Sequence, residues 1–300
     1  ADRRTKGALT MLDCYAGHTD RVFALAWSPS GRLVASGGRD GTVQIWNPQT
    51  GQCLRTFQGE HRYLLSLAWS PDARYIASGC TAGIVHVWEV STGCILTTYR
   101  GHKRFVRSIA WTSGGRYIAS GGDYGDSTVH VWEALSGQHL YTYQEQYRIF
   151  AVAWSPDNTS IASADFNGTV QLWNAFSGNT FLVYREHSGP VYAAVWSPDG
   201  KAIVSGGQDG TGHIWSPDSG KTLQTYRNHS RPIKALAWSP DSASIASGGD
   251  DSTVQIWSAL TGKQTGCYTG HRAWVRALAW SPVSNSIASA ADQEVHLWQP

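Results

Sequence analysis

Residues 17–46 read GHTDRVFALAWSPSGRLVASGGRDGTVQIW. Three short runs rich in β-branched and aromatic residues, VFALAW, RLVASGG and TVQIW, are punctuated by SPSG and RDG, and a fourth run, QCLRTF, follows the turn NPQTG. Pro29 presets a turn φ, and Gly31 and Gly41 tolerate a positive φ at which most side chains clash. Strands joined by such tight turns are expected to be antiparallel neighbours, four to a unit.

The unit recurs along the chain. The tag A-W-S-P or a near copy occurs seven times, with tryptophans at Trp27, Trp69, Trp111, Trp154, Trp196, Trp238 and Trp280, spaced 42, 42, 43, 42, 42 and 42 residues apart. A second series, Trp46, Trp88, Trp132, Trp173, Trp215, Trp257 and Trp298, keeps the same beat, and only Trp274 of the 15 tryptophans falls outside both. A lone four-stranded sheet cannot bury both faces, so seven must stack, and closing them into a ring leaves only short edges. The expected fold is all-β, a seven-bladed β-propeller of four-stranded antiparallel blades.

The chain ends test this reading. The last unit stops at HLWQP after three strands, and residues 8–16, ALTMLDCYA, supply a fourth. Cys14 and Cys267 both lie thirteen residues before the next A-W tryptophan, and Tyr15 and Tyr268 both lie twelve before. The N-terminal strand is therefore expected to close the ring by pairing into the last blade, with residues 1–7 as a tail and 8–300 as one domain.

Composition excludes other classes. The net charge is +2 with 15% charged residues, too mild for a dedicated nucleic-acid binder. Apolar runs such as Ile149–Trp154 are about six residues, far below the roughly 20 of a membrane helix. ADRRTKG has no apolar core of a secretory signal. The five cysteines, Cys14, Cys53, Cys80, Cys94 and Cys267, form no C-x-x-C pair and read as reduced, partly buried thiols in a cytoplasmic compartment.

Across about residues 8–300 these motifs resemble the WD40 repeat family: G-H, S-P-D-G, A-S-G-G, an Asp-bearing turn and a strand ending in Trp. The W-D dipeptide is altered, with Asn47, Glu89, Glu133, Asn174, Ser216, Ser258 and Gln299 following the tryptophans. The resemblance implies a hydrogen-bonded tetrad in each blade, which falls here on His18, Ser36, Asp40 and Trp46; His102, Ser120, Asp126 and Trp132; His187, Ser205, Asp209 and Trp215; His229, Ser247, Asp251 and Trp257; and His271, Ser289, Asp292 and Trp298. Blade two departs, with Ala82 in place of Asp and His61 displaced by one, and blade four has Asn167 for Asp and QEQ where His belongs. These two blades are expected to be the least rigid. The likeness between units also resembles bacterial WD40 arrays fused to kinase or NTPase signalling modules, which implies the docking or sensing part of a larger protein.

Ser, His and Asp recurring together raise the alternative of a hydrolase with a site at the channel mouth. Five equivalent copies, each ending on a tryptophan donor, favour a framework role, and no catalytic residue or cofactor is assigned. Ser219-Gly220-Lys221-Thr222 imitates the tail of a phosphate loop, but Trp215 stands where its first glycine belongs. His86, His130, His213 and His296 alternate around the ring with Gln44, Gln171 and Gln255. Neighbouring sheets stand about 10 Å apart, too far for shared zinc ligands, so these positions read as an interblade polar layer and no metal is assigned. Asn158, Asn167 and Asn228 match N-x-S/T by chance.

Binding is expected where the repeats disagree. The resemblance implies that a partner docks on the face bearing the d-to-a and b-to-c connections, at positions six and four before the A-W tryptophan and one before the tetrad Asp. The residues there that bear charge or large apolar surface are Arg21, Phe23, Arg39, Tyr63, Leu65, Phe105, Arg107, Arg148, Phe150, Phe166, Tyr192, Lys234, Trp274 and Arg276. Arginine and aromatics are the types that dominate hot spots. The expected partner of this monomeric domain is a protein or peptide, acidic or phosphorylated. Single-stranded nucleic acid, stacking on the same face, is the rival.

Overall fold

The computed structural model describes residues 10–59, 63–145 and 147–300; the expected tail 1–7 and His61 lie outside them. Seven four-stranded sheets are formed, and no helix occurs among the described residues. In blade one, strand a (Val22–Trp27), b (Val34–Gly38), c (Thr42–Trp46) and d (Cys53–Gln58) pair in sequence order. Blade seven differs: its strands a to c are Val275–Trp280, Ile287–Ala291 and Glu294–Gln299, and its strand d is Thr10–Tyr15. That strand runs antiparallel to strand c with Thr10 opposite Gln299 and Tyr15 opposite Val295. The expected ring closure is therefore present.

The two tryptophan series have different jobs. Strand-c tryptophans are the buried wedges between blades, and each stacks on an aromatic of the preceding blade's strand d: Tyr99 on Trp132 at 4.5 Å and 1°, Tyr184 on Trp215 at 4.5 Å and 4°. Such pairs contribute about 0.5–1.5 kcal/mol beyond the area they bury. Five of the seven strand-a tryptophans tie neighbouring blades together, as Trp69 Nε1 donates to the Ala26 carbonyl at 3.1 Å and Trp27 Nε1 to that of Ala279 at 3.1 Å across the closing seam, while the indole N–H groups of Trp196 and Trp280 make no such bond among the described residues. Alanine precedes six of these seven tryptophans, and Val195 precedes Trp196.

One irregularity recurs in every blade. Strand a carries a bulge after its first residue, so that Val22 faces Gly38 and Ala24 faces Gly37, with Phe23 skipped by the ladder. The skipped residues of the other blades are Leu65, Arg107, Phe150, Tyr192, Lys234 and Arg276. The bulge bends the strand, and in blades one and five it brings the strand-a backbone against the end of strand b. A Cβ on Gly38 would lie 2.2 Å from the Arg21 carbonyl oxygen, and one on Gly207 2.2 Å from that of Pro190. Blades two, four and seven carry the same bulge with Cys80, Asp165 and Ala291 at the Gly38 register, so glycine accompanies the bulge in four blades without being required for it.

The cysteines are all unpaired, but not uniformly covered as expected: Cys80 is buried, Cys14 and Cys267 are half-buried, and Cys53 and Cys94 are exposed. Cys53 opens strand d of blade one and Cys94 directly precedes strand d of blade two, where the outermost strand of each sheet begins. No helix of the described residues is long and apolar enough to cross a membrane.

Candidate functional site

Within blade one, His18 Nδ1 stands 2.7 Å from Asp40 Oδ2, and His18 Nε2 stands 2.7 Å from Ser36 Oγ, which accepts from Trp46 Nε1 at 3.2 Å. With a proton on Nδ1 the imidazole donates to the carboxylate and accepts from the serine, so every buried group is satisfied. Blades three, five and six repeat this through His102 and Asp126 at 2.8 Å, His187 and Asp209 at 2.9 Å, and His229 and Asp251 at 2.8 Å. Burial alone would raise the Asp40 carboxyl, but hydrogen bonds from His18 and Thr42 outweigh it and hold the group down to about 2. The serines are fully buried behind indoles, where a nucleophile would meet no substrate.

Blade seven departs from the expected tetrad. His271 bonds Ser289 at 2.6 Å and Trp298 donates to Ser289 at 3.0 Å, but Asp292 has turned outward, with its carboxylate 3.7 Å from Arg21 Nε. The cause is length: Ser289 and Asp292 are three residues apart where Ser36 and Asp40 are four apart, and the shorter turn puts Asp292 at φ +50°. Blade four replaces the histidine with Glu145, which accepts from Ser163 at 2.7 Å and from the Gln171 amide. Burial pushes the Glu145 carboxyl up to about 7, with neighbouring Asp165 adding to the shift.

The His/Gln series two before the strand-c tryptophans serves the seams. Tyr15 Oη donates to Gln44 at 2.5 Å and Tyr226 Oη to Gln255 at 2.6 Å, while Tyr99 and His130 are 2.7 Å apart. In blade two, where Phe57 replaces the tyrosine against Trp88, His86 is 3.1 Å from Thr98 instead.

The seven skipped residues converge. Phe23, Leu65, Arg107, Phe150, Tyr192, Lys234 and Arg276 line one cavity of about 330 Å³ at a channel mouth, above a larger channel space of about 490 Å³. Around it the residues six before the tryptophans meet the b-to-c turns through backbone hydrogen bonds, Arg39 to Arg21 at 2.8 Å and Phe166 to Arg148 at 3.0 Å among them. In blade three the partner of Phe105 is Asp123, at 2.9 Å, and not the Gly125 that counting back from Asp126 selects, because this turn is two residues longer.

Cations on this face lie on aromatic rings. Lys234 Nζ is 3.3 Å from the Tyr192 ring centre and 3.6 Å from Asp250. The Arg276 guanidinium lies 5.2 Å from Trp274 and 5.6 Å from Phe23, Arg107 lies 6.0 Å from Phe150, and Arg39 lies 5.1 Å from Tyr63. Arg148 reaches Phe166 at 5.3 Å and Tyr124 at 4.3 Å. Tyr124, 48% exposed like Trp274, is absent from the repeat-based positions because it sits in the blade-three insertion. Its signal in the sequence was the insertion itself.

The family model described as WD domain, G-beta repeat matches residues 9–47, 51–89, 93–133, 137–174, 178–216, 220–258 and 262–299. Each matched unit begins with strand d of one blade and continues through a, b and c of the next, so consecutive units interlock. A ribosome biogenesis protein BOP1 homolog of Caenorhabditis elegans is 56% identical over 43 residues, 14% of this chain and 6% of that protein. Cell division cycle 20.6, cofactor of APC complex, of Arabidopsis thaliana is 41% identical over 54 residues, 18% of this chain and 13% of that protein. Both likenesses span little more than one repeat, and the matched stretches are a small share of the relatives' own length. Seven consecutive matches of the repeat model, on seven blades, establish that the chain belongs to the WD40 family.

Proposed function

We propose that the chain is a docking module whose partner is a protein or peptide segment, acidic or phosphorylated, received on the face bearing the d-to-a and b-to-c connections. The observation that carries this reading is the ring of seven bulged residues around one mouth. Three of them, Arg107, Lys234 and Arg276, are basic and none is acidic. Half-buried aromatics beside them exclude water and strengthen charge-assisted hydrogen bonds to carboxylate or phosphate. Outside the mouth, Trp274, Phe166, Tyr63 and Tyr124 are exposed, which suits a segment that runs across the rim. Binding, not catalysis, is the activity proposed, in a cytoplasmic setting and as the docking part of a larger signalling protein.

The test is binding of degenerate peptides carrying a central serine, glutamate or phosphoserine to the wild type and to an Arg107→Ala, Arg276→Ala variant. Acidic or phosphorylated peptides should bind preferentially and lose about tenfold or more in the variant, the scale of a hot-spot truncation. Indifference to charge, or equal binding by the variant, would reject the reading. Single-stranded oligonucleotides serve as the rival ligand, and a steep salt-dependent preference for them would replace peptide with nucleic acid.

A further inference from the structure

In blade seven a cysteine, a carboxylate and an imidazole meet across the seam that joins the chain's first strand to its last. Cys14 lies directly opposite His296 in the antiparallel pair, and Glu294, two residues before His296, projects from the same side of the strand. A Cys14 Sγ, a Glu294 carboxylate oxygen and a His296 ring nitrogen all lie within 4.8 Å of one another.

The combination is peculiar to this blade. Threonine occupies the Glu294 register in five blades, as Thr42, Thr128, Thr169, Thr211 and Thr253, and Ile84 in blade two. Opposite the other histidines of the series stand Thr98, Thr142 and Thr225, and the second cysteine at this register, Cys267, faces Gln255. The three groups also open onto a cavity of about 410 Å³ lined by Met11, His271 and Asp292 as well, on the side where the shortened turn carries Asp292 away from His271.

We propose that Cys14, Glu294 and His296 form a divalent metal site, of the Zn²⁺ class, that clasps the N-terminal strand to the last blade. Thiolate, imidazole and carboxylate are the ligands zinc takes, and three protein ligands leave a fourth position for water. His296 is oriented for the task. Its Nδ1 stands 2.9 Å from Tyr268 Oη, and a proton donated there leaves the Nε2 lone pair facing Glu294 Oε2 at 3.2 Å. An outer partner that fixes a ligating ring in this way is the usual companion of a metal-bound histidine.

A second cluster meets the same distance criterion, His102, Asp126 and His130, and shows the contrast. Both Asp126 oxygens there are engaged, Oδ2 by His102 and the Lys103 amide and Oδ1 by Thr128, so that group is a tetrad and not a ligand set. Among the described residues, the Glu294 carboxylate has His296 Nε2 as its one close side-chain polar contact.

The probes are Co²⁺, followed by its thiolate charge-transfer absorption, and Zn²⁺, followed by competition with Co²⁺ and by thermal unfolding of the full chain. The wild type should bind one equivalent with a thiolate band and melt at a higher temperature with Zn²⁺. Cys14→Thr and Glu294→Thr install the residue that other blades carry at these registers, which keeps the fold. Cys14→Thr should abolish the band, and both variants should bind at least about tenfold more weakly, since even outer partners contribute that much. Absence of stoichiometric Co²⁺ binding by the wild type, or a thiolate band surviving in Cys14→Thr, would overturn the proposal.

Discussion

Tyr15 stacks on Trp46 with ring centres 4.4 Å apart and planes 3° from parallel, although one belongs to blade seven and the other to blade one. Its hydroxyl donates to Gln44 at 2.5 Å. One side chain of the N-terminal strand thus ties three things together: the last sheet, the first sheet and the polar layer between them.

Truncation of that side chain should open the seam. Tyr15→Ala is expected to cost about 3–5 kcal/mol, as for other large buried aromatics, read from denaturant unfolding. Leu12→Ala on the same strand, 53% exposed, should stay within about 0.5 kcal/mol. Equal effects of the two would mean that the strand contributes through its backbone alone.

The fate of the tetrad aspartates separates blade five from blade seven. Asp209→Ala leaves His187 without its partner and is expected to destabilise by about 1–3 kcal/mol, whereas Asp292→Ala, exposed and not hydrogen-bonded to His271, should fall within about 0.5 kcal/mol. Thermal melts of the two single variants decide it, and a large loss in Asp292→Ala would restore the fifth tetrad.

Glycine 38 and glycine 114 offer a matched pair. A Cβ at Gly38 meets the Arg21 carbonyl oxygen at 2.2 Å, while one at Gly114 meets nothing within 4 Å. Gly38→Ala should therefore destabilise by about 1–3 kcal/mol through overpacking, and Gly114→Ala should be neutral within about 0.5 kcal/mol. Urea titration of both variants tests whether blade one, unlike the bulged blades two, four and seven, needs glycine at this register.

Blade four should carry its own pH dependence. Glu145 is raised to about 7 in the folded chain and titrates near 4.3 when unfolded. Its folded form holds the proton more tightly, so the stability it contributes is full below about pH 4 and is lost as pH rises through about 7. Glu145→Gln, which cannot ionise, should flatten the stability profile between those limits and gain on the wild type above pH 7. The tetrad aspartates act oppositely and lower down: Asp40 and Asp251, each held at about 2, lose their contribution only as pH falls from about 4 towards 2.

Most of the fold was legible because the repeat is a physical unit. Trp27 and Trp46 recur with the strand that each terminates, and Cys14 and Tyr15 kept the register of Cys267 and Tyr268 although they lie at the other end of the chain. The mouth residues were legible as positions, since Phe23 and its equivalents are the variable residues in a constant frame. Their bulge was not, because it lies in the pairing of residues from different strands and no single residue marks it: Gly38, Cys80, Asp165 and Ala291 all stand opposite it. Insertions and deletions misled the count: Asp292 was placed in a tetrad and Gly125 on the rim by offset alone, while Tyr124 was passed over. Glu145 was legible as part of the QEQ that stands where the histidine belongs, but its role was not, because a carboxylate standing in for an imidazole follows no repeat rule.

The skipped residue in each strand a has a consequence for descent. The ladder is blind to what that residue carries, so its letter can change without disturbing the spelling of the sheet around it. Seven such letters face one opening, and each belongs to a copy that can be duplicated, exchanged or rewritten singly. A lineage could therefore explore many locks on one unaltered case, and relatives sharing this frame need share none of its keys.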